Sequence, residues 1–179
     1  MIGNGNIRLT YICEEVSHEL NKYRNDENVR RWCRQHSLIN GVQQADWYLW
    51  QARDPNTRMF EIVARQQNTS PFEVVGICGL TSIDWVHRRA EFSCYVFPDH
   101  RLNGYCKEAL ILLFKYGFRE LNMHSIWGET FQDNPAYHLF VDVLGMTPEG
   151  TRREFYYKNG KYIDCHLLSI LRSEWERNV

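Results

Sequence analysis

The stretch Pro98–Leu121 constrains the chain more than any other. A strand-like run, Glu91 to Phe97, leads into the short polar loop Pro98-Asp99-His100-Arg101-Leu102-Asn103-Gly104. A strongly apolar helical run, Ala109 to Phe118, leads out of it. Strand, polar loop and helix in that order leave free backbone N–H groups at a helix start. With the positive end of the helix dipole, those amides make a site for anionic groups, phosphate above all. Gly104 allows backbone to approach a ligand closely, and Arg101 adds a fixed positive charge.

The remaining elements follow from periodicity and punctuation. Ile7-Arg8-Leu9-Thr10-Tyr11 alternates as a first strand, and Met1–Asn6 reads as an irregular start. Ser17–Tyr23 fits a short helix, and Arg24–Trp32 follows as a polar loop leading into a short helix. Asp46–Ala52 is a second helical stretch, which Asp54-Pro55-Asn56 ends. Met59–Arg65 and Phe72–Ile83 make a hairpin around a turn at Gln66–Pro71. Ala90–Phe97 is a central strand, Gly104–Leu121 a helix and Ser125–Phe131 a strand. Pro135–Leu144 reads as a helix with Asn134 as N-cap and Gly145 as its stop. Gly150–Tyr157 and Tyr162–Leu171 flank Asn159-Gly160, a strong hairpin signal. Strands that begin as a meander and then alternate with two helices imply an α/β (α+β) fold: one domain spanning 1–179, with a mixed, mostly antiparallel sheet flanked by helices.

The loop motif Arg101-x-x-Gly104-x-Cys106 resembles the acyl-CoA pyrophosphate loop of GCN5-related N-acetyltransferases, the GNAT superfamily. The family reads Gln/Arg-x-x-Gly-x-Gly/Ala, so Cys106 is a small departure. Gly76-x-x-Gly79-Leu80 upstream, then Asn134-Pro135-Ala136, Leu144-Gly145-Met146 and Arg153 downstream, resemble the ribosomal-protein-acetylating branch and its relatives. The resemblance implies a single GNAT-like domain that takes acetyl-CoA as cosubstrate. It implies that Phe97 and its neighbours meet the pantetheine arm through main chain. Leu102, Asn103, Gly104, Tyr105 and Cys106 then wrap the pyrophosphate, with Arg101 beside them, and Asn134 helps to place the pantetheine arm.

Acetyl transfer to an amine needs a proton acceptor, because free amines are largely protonated near pH 7. Glu91 matches a Glu common in this branch and shares a strand face with Ser93 and Tyr95; Glu129 and Asp84 are alternatives. The Tyr that many family members place seven residues after the Asn is Val141 here. Tyr137, three residues after Asn134, is the candidate acid by position.

On the acceptor side, the run Arg24–Trp32 followed by Trp47 resembles, more loosely, the GNATs of the pseudaminic-acid pathway. These acetylate the 4-amino group of a nucleotide-linked amino-dideoxy sugar. That implies Arg30, Trp32, Trp47 and His87 as substrate-binding residues, guanidinium for a diphosphate and rings for a sugar or base. The alternatives are a protein α-amine acetyltransferase and a non-catalytic acyl-CoA-binding module. A polyamine or antibiotic amine, a third acceptor class, calls for clusters of acidic residues, and none is evident along the chain.

Composition bounds the partners. Lys and Arg total 21 against 22 Asp and Glu, a net charge of -1, which gives no support to nucleic-acid or membrane binding. The six cysteines form no C-x-x-C pair and read as small buried hydrophobes in a reducing compartment. The seven histidines show no strong metal spacing, so no metal is expected. No signal peptide or membrane span is read, which points to a cytoplasmic protein. A homo-oligomer is compatible with this reading.

Overall fold

A computed structural model describes residues 1–65, 70–101 and 103–178. The strands are β1 (Ile2–Asn4), β2 (Ile7–Tyr11), β3 (Arg58–Ala64), β4 (Glu73–Asp84), β5 (Arg89–Val96), β6 (Ser125–Phe131), β7 (Thr147–Lys158) and β8 (Lys161–Leu171). They form one sheet in the order β1-β2-β3-β4-β5-β6-β8-β7. Every pairing is antiparallel except β5 with β6, which run parallel. The helices are α1 (Glu14–Asn25), α2 (Glu27–Arg30), α3 (Gly41–Arg53), α4 (Tyr105–Arg119), α5 (Ala136–His138) and α6 (Arg172–Asn178). This is the expected mixed, mostly antiparallel sheet flanked by helices.

The parallel pair is joined through α4. A parallel connection needs such a crossover, and α4 carries the apolar face to pack it: Leu110, Leu113, Phe114 and Phe118 are fully buried. Phe92 of β5 meets Phe114 and Phe140 edge-on, at 5.6 and 5.0 Å between ring centroids. The opposite side of the sheet has a second, smaller core of Ile12, Leu20, Ile77 and Phe97. There Tyr23 stacks on Phe97 at 4.0 Å.

Several boundaries differ from the sequence reading. The start at Met1–Asn6 contains β1, which adds to β2 as an edge strand. Helix α3 begins five residues before Asp46, because Asn40 and Gln43 close a reciprocal capping box. The helix expected over Pro135–Leu144 splits into α5 and a π-helical stretch, Leu139–Val143. The Asn134 side chain accepts the Ala136 N–H at 3.0 Å, which makes a local turn ahead of α5. Helix α6, absent from the sequence reading, buries Trp175 against Phe114 and Phe118. Of the turn expected at Gln66–Pro71, residues 66–69 lie outside the described residues. Among the described residues no helix is long and apolar enough to cross a membrane.

Candidate functional site

The site is built where β5 and β6 part. They pair only through Arg89↔Ser125, Ala90↔Ile126 and Glu91↔Trp127, although β5 continues to Val96 and β6 to Phe131. Glu91 is therefore the last β5 residue joined to β6, at the vertex of a widening gap. The register of β5 on β4 decides which amides face that gap. The Phe97 N–H bonds the Val75 carbonyl at 2.9 Å, in the register of Gly76↔Val96. By the alternation of an antiparallel ladder, the odd-numbered β5 residues spend their backbone groups on β4. Cys94 and Val96 direct theirs toward the gap.

This corrects one expectation. The Phe97 N–H is committed to Val75, its carbonyl accepts the His100 N–H at 2.9 Å, and its ring is buried against Tyr23. The backbone donors that face the gap belong to Cys94 and Val96 instead.

A one-turn 3-10 segment, Pro98–His100, carries the chain from β5 toward α4. Gly104 is the N-cap of α4, with φ +78 and nothing within 4 Å of the place where a Cβ would sit. It is the left-handed backbone, rather than crowding, that requires glycine there. The first bond of the helix runs from the Glu108 N–H to the Gly104 carbonyl at 3.2 Å. The amides of Tyr105, Cys106 and Lys107 precede it and have no helical partner. Asn103 and Gly104 are exposed, and Tyr105 and Cys106 are half-buried. Leu102, expected in this loop, lies outside the described residues. Arg101 points away from the α4 amides toward α2, with Nη2 3.4 Å from the Asn28 carbonyl.

At the vertex the structure assembles a cluster that the linear sequence hides. Glu91 and Glu129 are both buried, and one guanidinium bridges them: Arg34 Nη2 lies 2.7 Å from Glu91 Oε1, and Nη1 lies 3.1 Å from Glu129 Oε1. Arg152 Nη1 lies 3.3 Å from Glu129 Oε2, and the Tyr156 hydroxyl donates to Glu129 Oε1. Burial pushes the Glu91 carboxyl above its ordinary range; Arg34 works against that shift and the Glu129 charge adds to it. Burial and the Glu129 bond push the Tyr156 hydroxyl up to about 12, so it stays protonated at neutral pH. Burial works to lower Arg34, but the facing Glu91 and Glu129 charges outweigh it and leave the guanidinium more firmly protonated.

The other expected residues are placed as follows. Asp84 accepts the Val86 and His87 N–H groups and pairs with Arg89, so it organises the β4–β5 turn. Tyr137 sits on α5 with its ring 5.1 Å from that of His166. Trp47 packs partly into the smaller core under the Arg24 guanidinium, and His87 is exposed on the β4–β5 turn. Among the described residues no hydrogen bond, ion pair or ring contact joins any two of Arg30, Trp32, Trp47 and His87. Cys94 and Cys106 approach to 3.5 Å between sulfurs, on the α4 side of β5 and thus on the face opposite Glu91. Among the described residues no group of three or more His, Cys, Asp or Glu side chains is placed to hold a metal ion.

Comparison with known proteins agrees with this geometry. The family model for the acetyltransferase (GNAT) domain matches residues 7–147. Over 100 residues the chain is 32% identical to the N-acetyltransferase YoaA of Bacillus subtilis (strain 168), which covers 56% of each protein. It is 28% identical to the spermidine N(1)-acetyltransferase of Vibrio cholerae over 159 residues, 88% of this chain and 87% of that one. In fold it is similar to the crystal structure of the V. cholerae spermidine N-acetyltransferase in complex with CoA and spermine, with a TM-score of 0.88 and 24% identity, covering 97% of this chain and 99% of that one. The splayed parallel pair, the glycine-capped α4 and the family match over most of the chain lead to one conclusion: this protein belongs to the GNAT acetyltransferase family.

Proposed function

We propose that the protein transfers an acetyl group from acetyl-CoA directly to a primary amine of a small-molecule acceptor. The observation that carries this reading is the position of Glu91: a buried carboxylate at the vertex of the β5–β6 gap, with its pKa raised toward the range of a useful base. Acetyl-CoA supplies the acetyl group as an activated thioester. The chain's residues suit it. The free α4 amides behind Gly104 offer donors to phosphate oxygens, and the Cys94 and Val96 amides offer donors along the gap, where a developing oxyanion would need them. Glu91 takes the proton that the acceptor amine must lose. Cys94 and Cys106 lie on the other face of the strand, which favours direct transfer over an acyl-enzyme, so Cys94→Ala is expected to retain turnover in a steady-state assay with acetyl-CoA.

Tyr137 is the proposed donor to the departing thiolate. A thiolate is a weakly basic leaving group, so Tyr137→Phe is expected to lower kcat by less than the roughly 10²-fold that acid–base groups usually contribute. A larger loss would make proton donation limiting. Arg34 holds Glu91 ionised against its burial. Arg34→Met is therefore expected to move the acid limb of the kcat/KM profile to higher pH, because the active form is the carboxylate and its pKa rises further. A profile that drops in height with its limb unmoved would remove Arg34 from that role.

Spermidine, named in the Vibrio cholerae relative and in two others, is the first acceptor to test. Glu91 and Glu129 make an acidic pair that no stretch of the sequence displays, but Arg34 and Arg152 balance its charge, so the relatives' names rather than this pair put a polyamine first. A second class, an amine that also carries a phosphate such as a UDP-linked 4-amino-dideoxy sugar, is favoured by Arg101 and Lys158, which reach the Asn28 and Arg30 carbonyls of α2 and are in no ion pair among the described residues. The test is mass spectrometry of spermidine, that nucleotide sugar and a peptide with a free N-terminus, each incubated with protein and acetyl-CoA. A mass gain on one identifies the acceptor class. Retention of acetyl-CoA with no acetylated product from any of the three would count against the enzyme reading.

A further inference from the structure

We propose that Arg24, Arg30, Arg101 and Lys158, gathered beneath α2 on the Glu91 side of β5, form a binding site for a phosphate-class anion. The inference rests on the acetyl-transfer reading only for its biological use; the binding itself does not require turnover.

Three separate stretches of sequence bring these cations together: α1 and α2, the loop after β5, and the end of β7. Lys158, at the end of β7, donates to the Arg30 carbonyl at 3.2 Å and the Gln35 carbonyl at 2.6 Å. Arg101 reaches the Asn28 carbonyl from the loop after β5. Arg24, on α1, donates to Gln44 Oε1 at 3.1 Å. Their hydrogen bonds go to neutral oxygens. Among the described residues none of the four is in an ion pair, whereas Arg34 and Arg152 beside them are neutralised by Glu91 and Glu129. Asp26 is a carboxylate near them, and its Oδ1 accepts the Asn28 N–H.

Two buried polar atoms of this region have no partner among the described residues: the Tyr95 hydroxyl, which feels Arg101 and Arg24, and Nε of Arg30, whose charge is felt by Lys158. Buried donors without partners are rare in folded proteins and call for an explanation. An oxyanion would accept from both. The charges are also felt locally: burial raises the Cys33 thiol, while Lys158, Arg24, Arg101 and Arg34 each pull it down. Burial lowers Lys158, Cys33 opposes that shift, and the neighbouring Arg30 adds a smaller push in the same direction as burial. A cluster of like charges pressed together without counter-ions is strained until an anion joins it.

Position suggests what the anion belongs to. Glu91 and Tyr95 share one face of β5 and are separated by about 13 Å at the usual strand rise. An acceptor with its amine at Glu91 and a phosphate ester or diphosphate beyond Tyr95 would span that distance. The phosphates of acetyl-CoA are the other source of the same chemistry, because Arg101 belongs to the cofactor loop. A polycation gains nothing from this wall, which repels it.

The test is calorimetric titration of the full chain with inorganic pyrophosphate, with and without saturating CoA. Binding is expected in both conditions. Lys158→Met and Arg30→Met are each expected to weaken it about tenfold, the loss of one charge-assisted hydrogen bond, while Lys158→Arg keeps it. Binding that depends on Lys158 but disappears with CoA keeps the site and assigns the anion to the cosubstrate. Absence of binding, or binding that Lys158→Met and Arg30→Met leave unchanged, overturns the proposal. Pyrophosphate bound by a protein that acetylates no acceptor would leave the site standing and sink the acetyl-transfer reading alone.

Discussion

Glu91→Gln is expected to lower kcat for the amine acceptor by about 10²-fold or more, the contribution of a positioned general base, with the KM for acetyl-CoA unchanged. The substitution keeps the shape and hydrogen-bonding capacity of the side chain and removes only its charge. Stability should barely move. The lost ion pair involves an Arg34 that is 53% exposed, so solvent screening leaves it worth less than about 1 kcal/mol, and the buried charge that disappears was itself costly. The pH profile supplies the diagnostic. The carboxylate is the active form, so wild-type kcat/KM falls as pH drops through the folded pKa, which burial places above the 4.5 of a free glutamate. In Glu91→Gln that acid limb should vanish. Full activity with the limb intact would transfer the role to Glu129 or to solvent.

Gly76→Ala should produce the largest loss of stability, about 3 kcal/mol, the upper end of what overpacking costs. A Cβ on Gly76 would run into the Tyr95 carbonyl oxygen and lie 2.9 Å from the Val96 Cα. Both are backbone, so no side chain can swing aside; β4 and β5 must separate. For a chain of this length the melting temperature falls by roughly 6–12 °C. Because Val96 is among the residues whose amides face the gap, acetyl-CoA binding should weaken in parallel. Gly41→Ala is the matched control. Nothing lies within 4 Å of its Cβ position at the start of α3, and there alanine should be neutral or slightly stabilising. Thermal melts of the two variants check both statements. A Gly76→Ala melting temperature equal to wild type would mean that the strands are not so close.

The elements from β5 to β8 were largely legible because their signals are local. β6 begins and ends at Ser125 and Phe131, as its alternation indicates, and Gly104 sits at the loop–helix junction that its motif implies. The Asn159-Gly160 turn joins β7 to β8 as read. Asn134 does what a cap does: its Oδ1 accepts the Ala136 N–H two residues on. Misreadings fell where short-range rules compete. The periodicity of Pro135–Leu144 is helical, but it does not reveal that the hydrogen bonding widens to a π pattern at Leu139. β1 and α6 are too short to show a period and are held by neighbours, β2 in one case and the α4 rings in the other.

The cluster around Glu91 belongs to tertiary structure. Residues 34, 91, 129, 152 and 156 carry no motif in common, and no window of sequence contains them. The parallel register of β5 on β6 sets Glu91 beside Trp127, two residues before Glu129. The β6–β8–β7 register carries Arg152 and Tyr156 to the same place, and the loop after α2 lowers Arg34 onto both carboxylates. Local chemistry dictates a strand, a turn or a helix start, because those depend on neighbours within a few residues. Which distant charges become neighbours depends on how strands align across the sheet. For that reason the fold and the glycine-capped start of α4 could be read along the chain, while the paired carboxylates, and the cations that have no ion pair among the described residues, appear only once the sheet has formed.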